Sequence, residues 1–300
     1  MIHKIQEVEK IAGSSKFKKL LLLRSKYLKA LFYSKVVYKI TKRHKKIESI
    51  TFFNKPIKVL LPSGMDIYLS GGKTHDSELR LAKYLIINLK LNSCFIDVGA
   101  HFGYFTLLAS ELVGVNGKVF SFEPSGIFSL LKENAGNSTN TKLFKQAVSN
   151  ENSELSFYEF PTLYSEYNTL SVDQFQNEKW IQKNKPAQVT VHSTTLDSFI
   201  EEQKILPAMI KIDVEGAELN VITGALKTLK LSSPILIMEF IHHKRVGNNY
   251  LDANQLMLNN GYQSHLILTD GSLKPVSEVD DYLNKNNLES ENIVYLKISG

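Results

Sequence analysis

The chain has 300 residues, 43% hydrophobic and 22% charged, which is ordinary globular usage and excludes wholesale disorder and fibrous repeats. Its one cysteine, Cys94, excludes an intrachain disulfide framework and suits a reducing compartment. The net charge of +6 is uneven: residues 1–50 carry fourteen Lys or Arg against three Glu, whereas the rest carries 22 basic and 27 acidic side chains. No apolar run approaches the ~18–20 residues of a membrane span, and no secretory leader is expected around Leu20–Leu23. The expected location is the cytoplasm, with a peripheral membrane position left open.

The basic excess predicts a helical arm over residues 1–50, ahead of a main domain over 51–300. Phe17–Lys46 places apolar residues at roughly helical spacing with Lys and Arg between them. Such a pattern suits an anionic membrane surface or a nucleic-acid patch. It equally suits an arm docked on its own domain or on a second copy of the chain. Next, Ile57–Leu61 and Met65–Leu69 flank Pro62-Ser63-Gly64 and predict a β-hairpin. A helix is expected from Asp76 or Ser77 to about Lys90. Strands and helices then alternate: strands at Cys94–Val98, Lys118–Phe122, Leu143–Val148, Leu155–Glu159, Met209–Val214, Ile235–Phe240, Gln263–Leu268 and Ile293–Ile298. Helices fall at Tyr104–Val113, Ile127–Asn134, Leu196–Gln203, Glu218–Leu229 and Tyr250–Asn260. This order predicts an α/β domain with a largely parallel sheet and an antiparallel edge.

The first chemical motif is Phe95-Ile96-Asp97-Val98-Gly99-Ala100-His101-Phe102-Gly103, a buried strand running into a glycine turn and a helix. Ligands of open α/β sheets bind beyond the carboxyl ends of the strands. Gly99 permits the sharp turn and Gly103 the close packing of the helix. The next strand ends in Glu123-Pro124, 24 residues after Gly99, where a carboxylate meets ribose hydroxyls. His101 stands where a dinucleotide fold wants its second glycine and would crowd a pyrophosphate. S-adenosylmethionine carries no phosphate, so Asp97, Gly99, Ala100, Gly103, Glu123 and Pro124 are the expected cofactor residues. Asp97 is the candidate for the ammonium of the cofactor tail, or else a turn-capping aspartate.

A second cluster is Lys211-Ile212-Asp213-Val214-Glu215-Gly216-Ala217-Glu218, followed at the next strand end by Glu239 and by His242 and His243. Period-two alternation puts Lys211 and Asp213 on one face. Asp213 and Glu239 can meet at one crevice, as two hard oxygen ligands for Mg²⁺ or another divalent cation. The alternative is that Asp213 bonds the turn and Glu239 pairs with Lys211. Asp213, Glu215 and Glu239 are the candidate catalytic carboxylates, with His242, His75 and Lys211 behind them. Phe157–Pro186, rich in aromatic residues, reads either as a lid over the crevice or as a hairpin packed on the sheet.

The ordered segments DVGAHFGYFTLLAS, VFSFEPSG, KQAVSNENSELSFYEF, TTLDSFI, IKIDVEGAELNVITGA and PILIMEF resemble the FkbM-type methyltransferases, from about Gly72 to about Phe240. The resemblance implies a Rossmann-like, seven-stranded, mostly parallel sheet of the class I methyltransferase type. It implies an S-adenosylmethionine-dependent O-methyltransferase acting on a hydroxyl of a carbohydrate, glycolipid or natural product. Sugar O-methyltransferases of the wider class that hold a divalent metal with strand-end carboxylates bear on Asp213 and Glu239. The rival readings are a nicotinamide-dependent oxidoreductase, opposed by His101, and a non-catalytic nucleic-acid-associated protein, opposed by the acidic main domain. A homo-oligomer is left open.

Overall fold

The structure is a computed structural model that describes residues 1–172, 175, 180–242 and 249–298. Its strands are β1 (Lys45–Ile50), β2 (Pro56–Leu61), β3 (Cys94–Val98), β4 (Lys118–Phe122), β5 (Thr141–Phe144), β6 (Ala147–Val148) and β7 (Glu154–Glu159). Then come β8 (Ala187–Thr194), β9 (Met209–Ile212), β10 (Ile235–Ile241), β11 (Tyr262–Ile267), β12 (Leu273–Pro275) and β13 (Ser290–Lys297).

Eight of these form the main sheet, in the order β12-β11-β13-β10-β9-β3-β4-β5. The strands from β5 to β10 pair in parallel, whereas β13 runs antiparallel to both β10 and β11. This is the expected seven-stranded arrangement, extended at one edge by the three residues of β12, which pair antiparallel with β11. Helices cover both faces, so successive strand residues enter opposite cores. Phe95, Val119, Met209 and Ile237 join one apolar cluster, and Ile96, Phe120, Ile210 and Leu236 join the other. Strands buried on both sides read as continuous apolar runs, which is why they were legible in the sequence. The chain steps from β3 to β4 to β5 in one direction, then returns to lay β9 against the other side of β3. The reversal between β3 and β9 is the topological switch point, where a crevice opens beyond the strand ends.

Several expectations need correction. The hairpin is β1–β2, paired from Lys45↔Leu61 to Ile50↔Pro56, and Met65–Ser70 is a helix. Apolar runs of five or six residues do not distinguish strand from helix, and the charged β1 carries the Lys that edge strands use against aggregation. Leu143–Val148 divides between β5 and β6, and β9 stops at Ile212. Glu218–Leu229 is two short helices, Glu218–Thr223 and Leu226–Leu231, broken at Gly224. The helix Val279–Lys285 was not anticipated. β6, β8 and β7 make a separate small sheet beside the crevice.

The first fifty residues form the helices Ile2–Ala12 and Lys16–Phe32, a π-helical segment Tyr33–Val37, the short helix Tyr38–Thr41 and β1. Ile5, Val8 and Ala30 are buried in the same core cluster as Phe95 and Leu108. Glu9 pairs with the buried Lys83 at 2.8 Å. Strand pairing through β1 runs across the junction at residue 50.

Candidate active site at the switch point

The strand ends surround a cavity of about 390 Å³. Gly99, at the end of β3, adopts φ +81°, and a Cβ there would overlap the Asp213 carbonyl oxygen. The first and second motifs are thus held against one another through glycine backbone. The Gly99 and Ala100 amides both donate to the Phe122 carbonyl, at 3.0 and 2.9 Å. Gly103, at φ +85°, opens the helix Tyr104–Val113.

Glu123 lies at the end of β4 and lines the cavity together with Pro124. Its Oε2 accepts from the His101 amide at 2.9 Å, and its Oε1 accepts from the Ser125 amide and hydroxyl at 3.0 and 2.6 Å. Burial raises its pKa despite these bonds. His101 takes φ +50° and lines the cavity; its Nε2 shares a hydrogen bond with Ser165 Oγ at 3.0 Å. Burial, reinforced by Lys73, lowers the imidazole pKa to about 3, so the ring is neutral at physiological pH. Asp97 is fully buried and does not contribute to the cavity wall. Its Oδ2 accepts from Thr106 Oγ1 at 2.7 Å, while Oδ1 lies 3.6 Å from Lys211 Nζ and has no hydrogen-bond partner.

Asp213, Glu215 and Glu239 line the same cavity, and one carboxylate oxygen from each falls within 4.8 Å of the others. β9 and β10 are adjacent parallel strands, which is why residues 26 positions apart meet. Lys211 Nζ donates to Asp213 Oδ2 at 3.0 Å. Burial by itself would raise the Asp213 pKa, but Lys211 and Lys73 overcome it and hold the carboxyl below its usual range. Burial would likewise lower the Lys211 pKa, yet Asp213 and Asp97 raise it, so Lys211 is a cation and no base. Glu215 is pushed well up by burial and by Glu239, and Glu239 is raised to about 8 by burial and by Asp213. The cluster therefore combines one carboxylate held below its usual range with Glu239, which keeps its proton into the neutral range, and Glu215, which is also pushed up. Glu218 accepts from the Val214 and Gly216 amides at 3.1 and 2.9 Å and so shapes the turn.

Of the weaker candidates, His75 lines the cavity, whereas His242 lies 3.9 Å from Asp280 and stands outside the cavity wall. His243 lies outside the described residues. The motif reading missed Lys73 and Glu78, a half-buried ion pair that lines the cavity. Burial would lower the Lys73 pKa, but Glu78 and Asp213 raise it. In the sequence these two read as a loop lysine and a helix-start carboxylate, with no spacing that ties them to the strand ends. It missed Glu289, Ser290 and Asn292 as well, which β13 brings in from the far end of the chain.

The described residues of the segment 157–186 combine the two expectations, hairpin and cavity wall. β7 and β8 pair antiparallel, and the segment between them places Ser165, Glu166, Tyr167, Asn168 and Phe175 on the cavity wall. Tyr164 stacks on Trp180 at 4.7 Å between centroids. Thr169 Oγ1 donates to the Glu215 carbonyl at 2.6 Å, tying the segment to the catalytic turn. Behind Gly99 an apolar slot lined by Phe122, Ala147, Val148 and Leu170 adjoins the main cavity through Gly99, Pro124 and Val214.

The profile of the methyltransferase FkbM domain matches residues 97–264, more than half of the chain. Among solved structures, the methyltransferase FkbM from Methylobacillus flagellatus KT is 13% identical with a TM-score of 0.42. That match covers 78% of this chain and 52% of the other, so this chain spans about half the length of that protein. A SAM-dependent O-methyltransferase from Thermotoga maritima is 12% identical, TM-score 0.41, covering 88% of this chain and 82% of its own. An O-methyltransferase from Bacillus cereus, solved in complex with SAH, is 14% identical, TM-score 0.41, covering 72% and 80%. A comparison with curated proteins found no match.

Proposed function

The chain belongs to the methyltransferase FkbM domain family, and from that premise we propose that it transfers the methyl group of S-adenosylmethionine to a hydroxyl of a carbohydrate, glycolipid or natural-product acceptor. The observation that carries this reading is the charge of the cavity. Glu78, Glu123, Glu166, Asp213, Glu215, Glu239 and Glu289 line it, against Lys73 as the one lysine and no arginine among the described residues. A pyrophosphate would meet acidic side chains and one lysine already paired with Glu78, whereas the cationic groups of a sulfonium nucleoside find carboxyl oxygens to receive them.

The residues fit such a nucleoside. Glu123 stands at the strand end where a carboxylate receives ribose hydroxyls. When bound, the sulfonium supplies an activated methyl group, and what is left to the protein is mostly alignment. Asp213, held ionised by Lys211, accepts a hydrogen bond from the acceptor hydroxyl and orients it. Glu239, with its pKa of about 8, takes the proton when ionised, an increasing fraction as pH rises toward 8. The Glu239 carboxylate would receive the proton that the acceptor hydroxyl loses, and the bound sulfonium would supply the methyl group and leave as a neutral thioether that keeps the electron pair. Glu215 has the same capacity from the turn.

A second reading rests on the convergence of Asp213, Glu215 and Glu239, whose oxygens suit a hard divalent cation such as Mg²⁺. A cation would relieve the crowding that raises Glu215 and Glu239, and would supply Lewis-acid chemistry at the hydroxyl.

The test is thermal unfolding with S-adenosylmethionine, NAD or an oligonucleotide, followed by transfer of an isotopically labelled methyl group to extracted glycans and lipids. S-adenosylmethionine alone is expected to raise the Tm. A rise with NAD alone would overturn the methyl-transfer reading. Turnover that survives a chelator would remove the cation and leave the carboxylate base.

A further inference from the structure

We propose that residues 16–41 dock the protein on an anionic lipid surface, with the helices lying in the interface. The helix Lys16–Phe32, which is kinked at Arg24 with φ +42°, and its continuation to Thr41 carry an inner and an outer set of apolar side chains. The inner one is occupied: Tyr27 and Ala30 are buried, Lys26 lies over the Tyr68 ring at 4.7 Å, and Ser34 contacts Met65. The outer one is not. Phe17, Leu21, Leu28, Phe32 and Ile40 are each 55–78% exposed, a series of large side chains on one short stretch of chain. Elsewhere, exposed large hydrophobics such as Leu91, Val115 and Leu206 are far apart in sequence, as is ordinary for a soluble surface.

The charge identifies the occupant. Ten Lys or Arg lie between Lys16 and Arg43, and no Asp or Glu occurs anywhere between Lys10 and Ile47. A second copy docked on this face would bring two such arms together with no carboxylate of the arm to neutralise them. A nucleic acid would satisfy the cations but gains nothing from exposed Phe, Leu and Ile side chains. An anionic bilayer satisfies both, taking apolar side chains below the headgroups and lysines among them. Among the described residues no helix is long and apolar enough to cross a membrane, so the arm lies on the surface. It also leads toward the catalytic cavity. His44 and Lys46, just after it, line a second groove of about 410 Å³ together with Ser165 and Asn168, and those two residues line the catalytic cavity as well. A docked arm brings this groove close to the headgroups, where a lipid-borne acceptor would present its hydroxyls.

The experiment is co-sedimentation of the full-length protein with sucrose-loaded vesicles of phosphatidylcholine alone or equimolar with phosphatidylglycerol. Wild type is expected to bind the anionic vesicles at least about tenfold better than the neutral ones, and less tightly at high salt. The combined variant Phe17→Ser, Leu21→Ser, Leu28→Ser and Phe32→Ser is expected to lose about tenfold or more of that binding. Lys18→Glu, Lys29→Glu and Lys35→Glu together are expected to abolish the preference for anionic lipid. These side chains are on the outer surface, and an unchanged Tm and an unchanged shift with S-adenosylmethionine verify that the variants are folded. Wild type that stays in the supernatant with both vesicles would overturn the proposal. So would a dimer that the serine variant dissociates, or an oligonucleotide bound equally by wild type and serine variant in the absence of vesicle binding. Loss of the S-adenosylmethionine shift in wild type would count against the catalytic reading and leave the vesicle result standing.

Discussion

Glu123 is engaged on both oxygens by the His101 amide and by Ser125, so the cofactor side of the site is held in shape by the carboxylate expected to touch the ribose. Glu123→Ala is expected to weaken S-adenosylmethionine binding by about 1–3 kcal/mol, read by calorimetry. Unchanged affinity would place the ribose elsewhere. The other side differs, because there the carboxylates are proposed to act on the acceptor. Asp213→Asn is expected to cut kcat by two or more orders of magnitude (~100-fold, within the range for a positioned acid–base group) while cofactor affinity falls far less. A base works only when deprotonated, so a Glu239 pKa of about 8 makes kcat/KM rise with pH and level off above about 8. Glu239→Gln is expected to erase that rise, and a profile unchanged by the substitution would exclude Glu239 as the base. His101 gives a stability counterpart. Its folded pKa of about 3 lies below its ordinary 6.5, so its contribution is complete above pH 6.5 and is lost as pH falls toward 3. The stability difference between wild type and His101→Gln is expected to shrink over that window, as measured by urea unfolding at a series of pH values. These residues were legible because each sits at the end of an apolar strand, where chain order already places it in the crevice. Lys73, Glu78 and Ser290 were not, since their approach depends on how a loop and an antiparallel strand fold back.

Among the elements, the described residues between β7 and β8 form part of the cavity wall. They are tied down by Thr169 to the Glu215 carbonyl and by Ser165 to His101. Trp180 is the only tryptophan, and it stacks on Tyr164 in this segment. Its fluorescence is therefore expected to change saturably as S-adenosylmethionine is added, and Tyr164→Ala is expected to blunt that response. Constant emission under conditions where calorimetry detects binding would show that the segment does not respond to the cofactor. The hairpin shows where reading by element failed. Ile57–Leu61 was recognisable as a strand, but its partner was sought downstream in Met65–Leu69 and lies upstream in Lys45–Ile50. The true partner carries three charged residues out of six, which is how an edge strand looks and how a solvated loop looks too.

At the scale of the molecule, the basic arm and the catalytic domain share a core. Ile5 and Val8 are buried in the same cluster as the sheet, and Glu9 neutralises Lys83, which is itself buried. Ile5→Ala is expected to cost about 2–5 kcal/mol, the usual range for truncating a buried Ile, seen as a lowered urea midpoint. A stability unchanged by that substitution would show the first helix to be a dispensable appendage. The inner face of the arm thus serves stability, while its outer face remains free for the surface proposed above.

The alternation of buried strands and amphipathic helices, the glycine turn after Asp97 and the strand-end carboxylates were all determined by local sequence, because period, turn chemistry and chain order act over a few residues. What only the tertiary structure decided was which distant groups face one another. Lys211 neutralises Asp213 and Asp97, while Glu215 and Glu239 share a desolvated corner in which burial and neighbouring carboxylates raise both. Proton affinity in a crevice is set by burial and by the neighbouring charges in space, and neither quantity exists until the chain has closed around it.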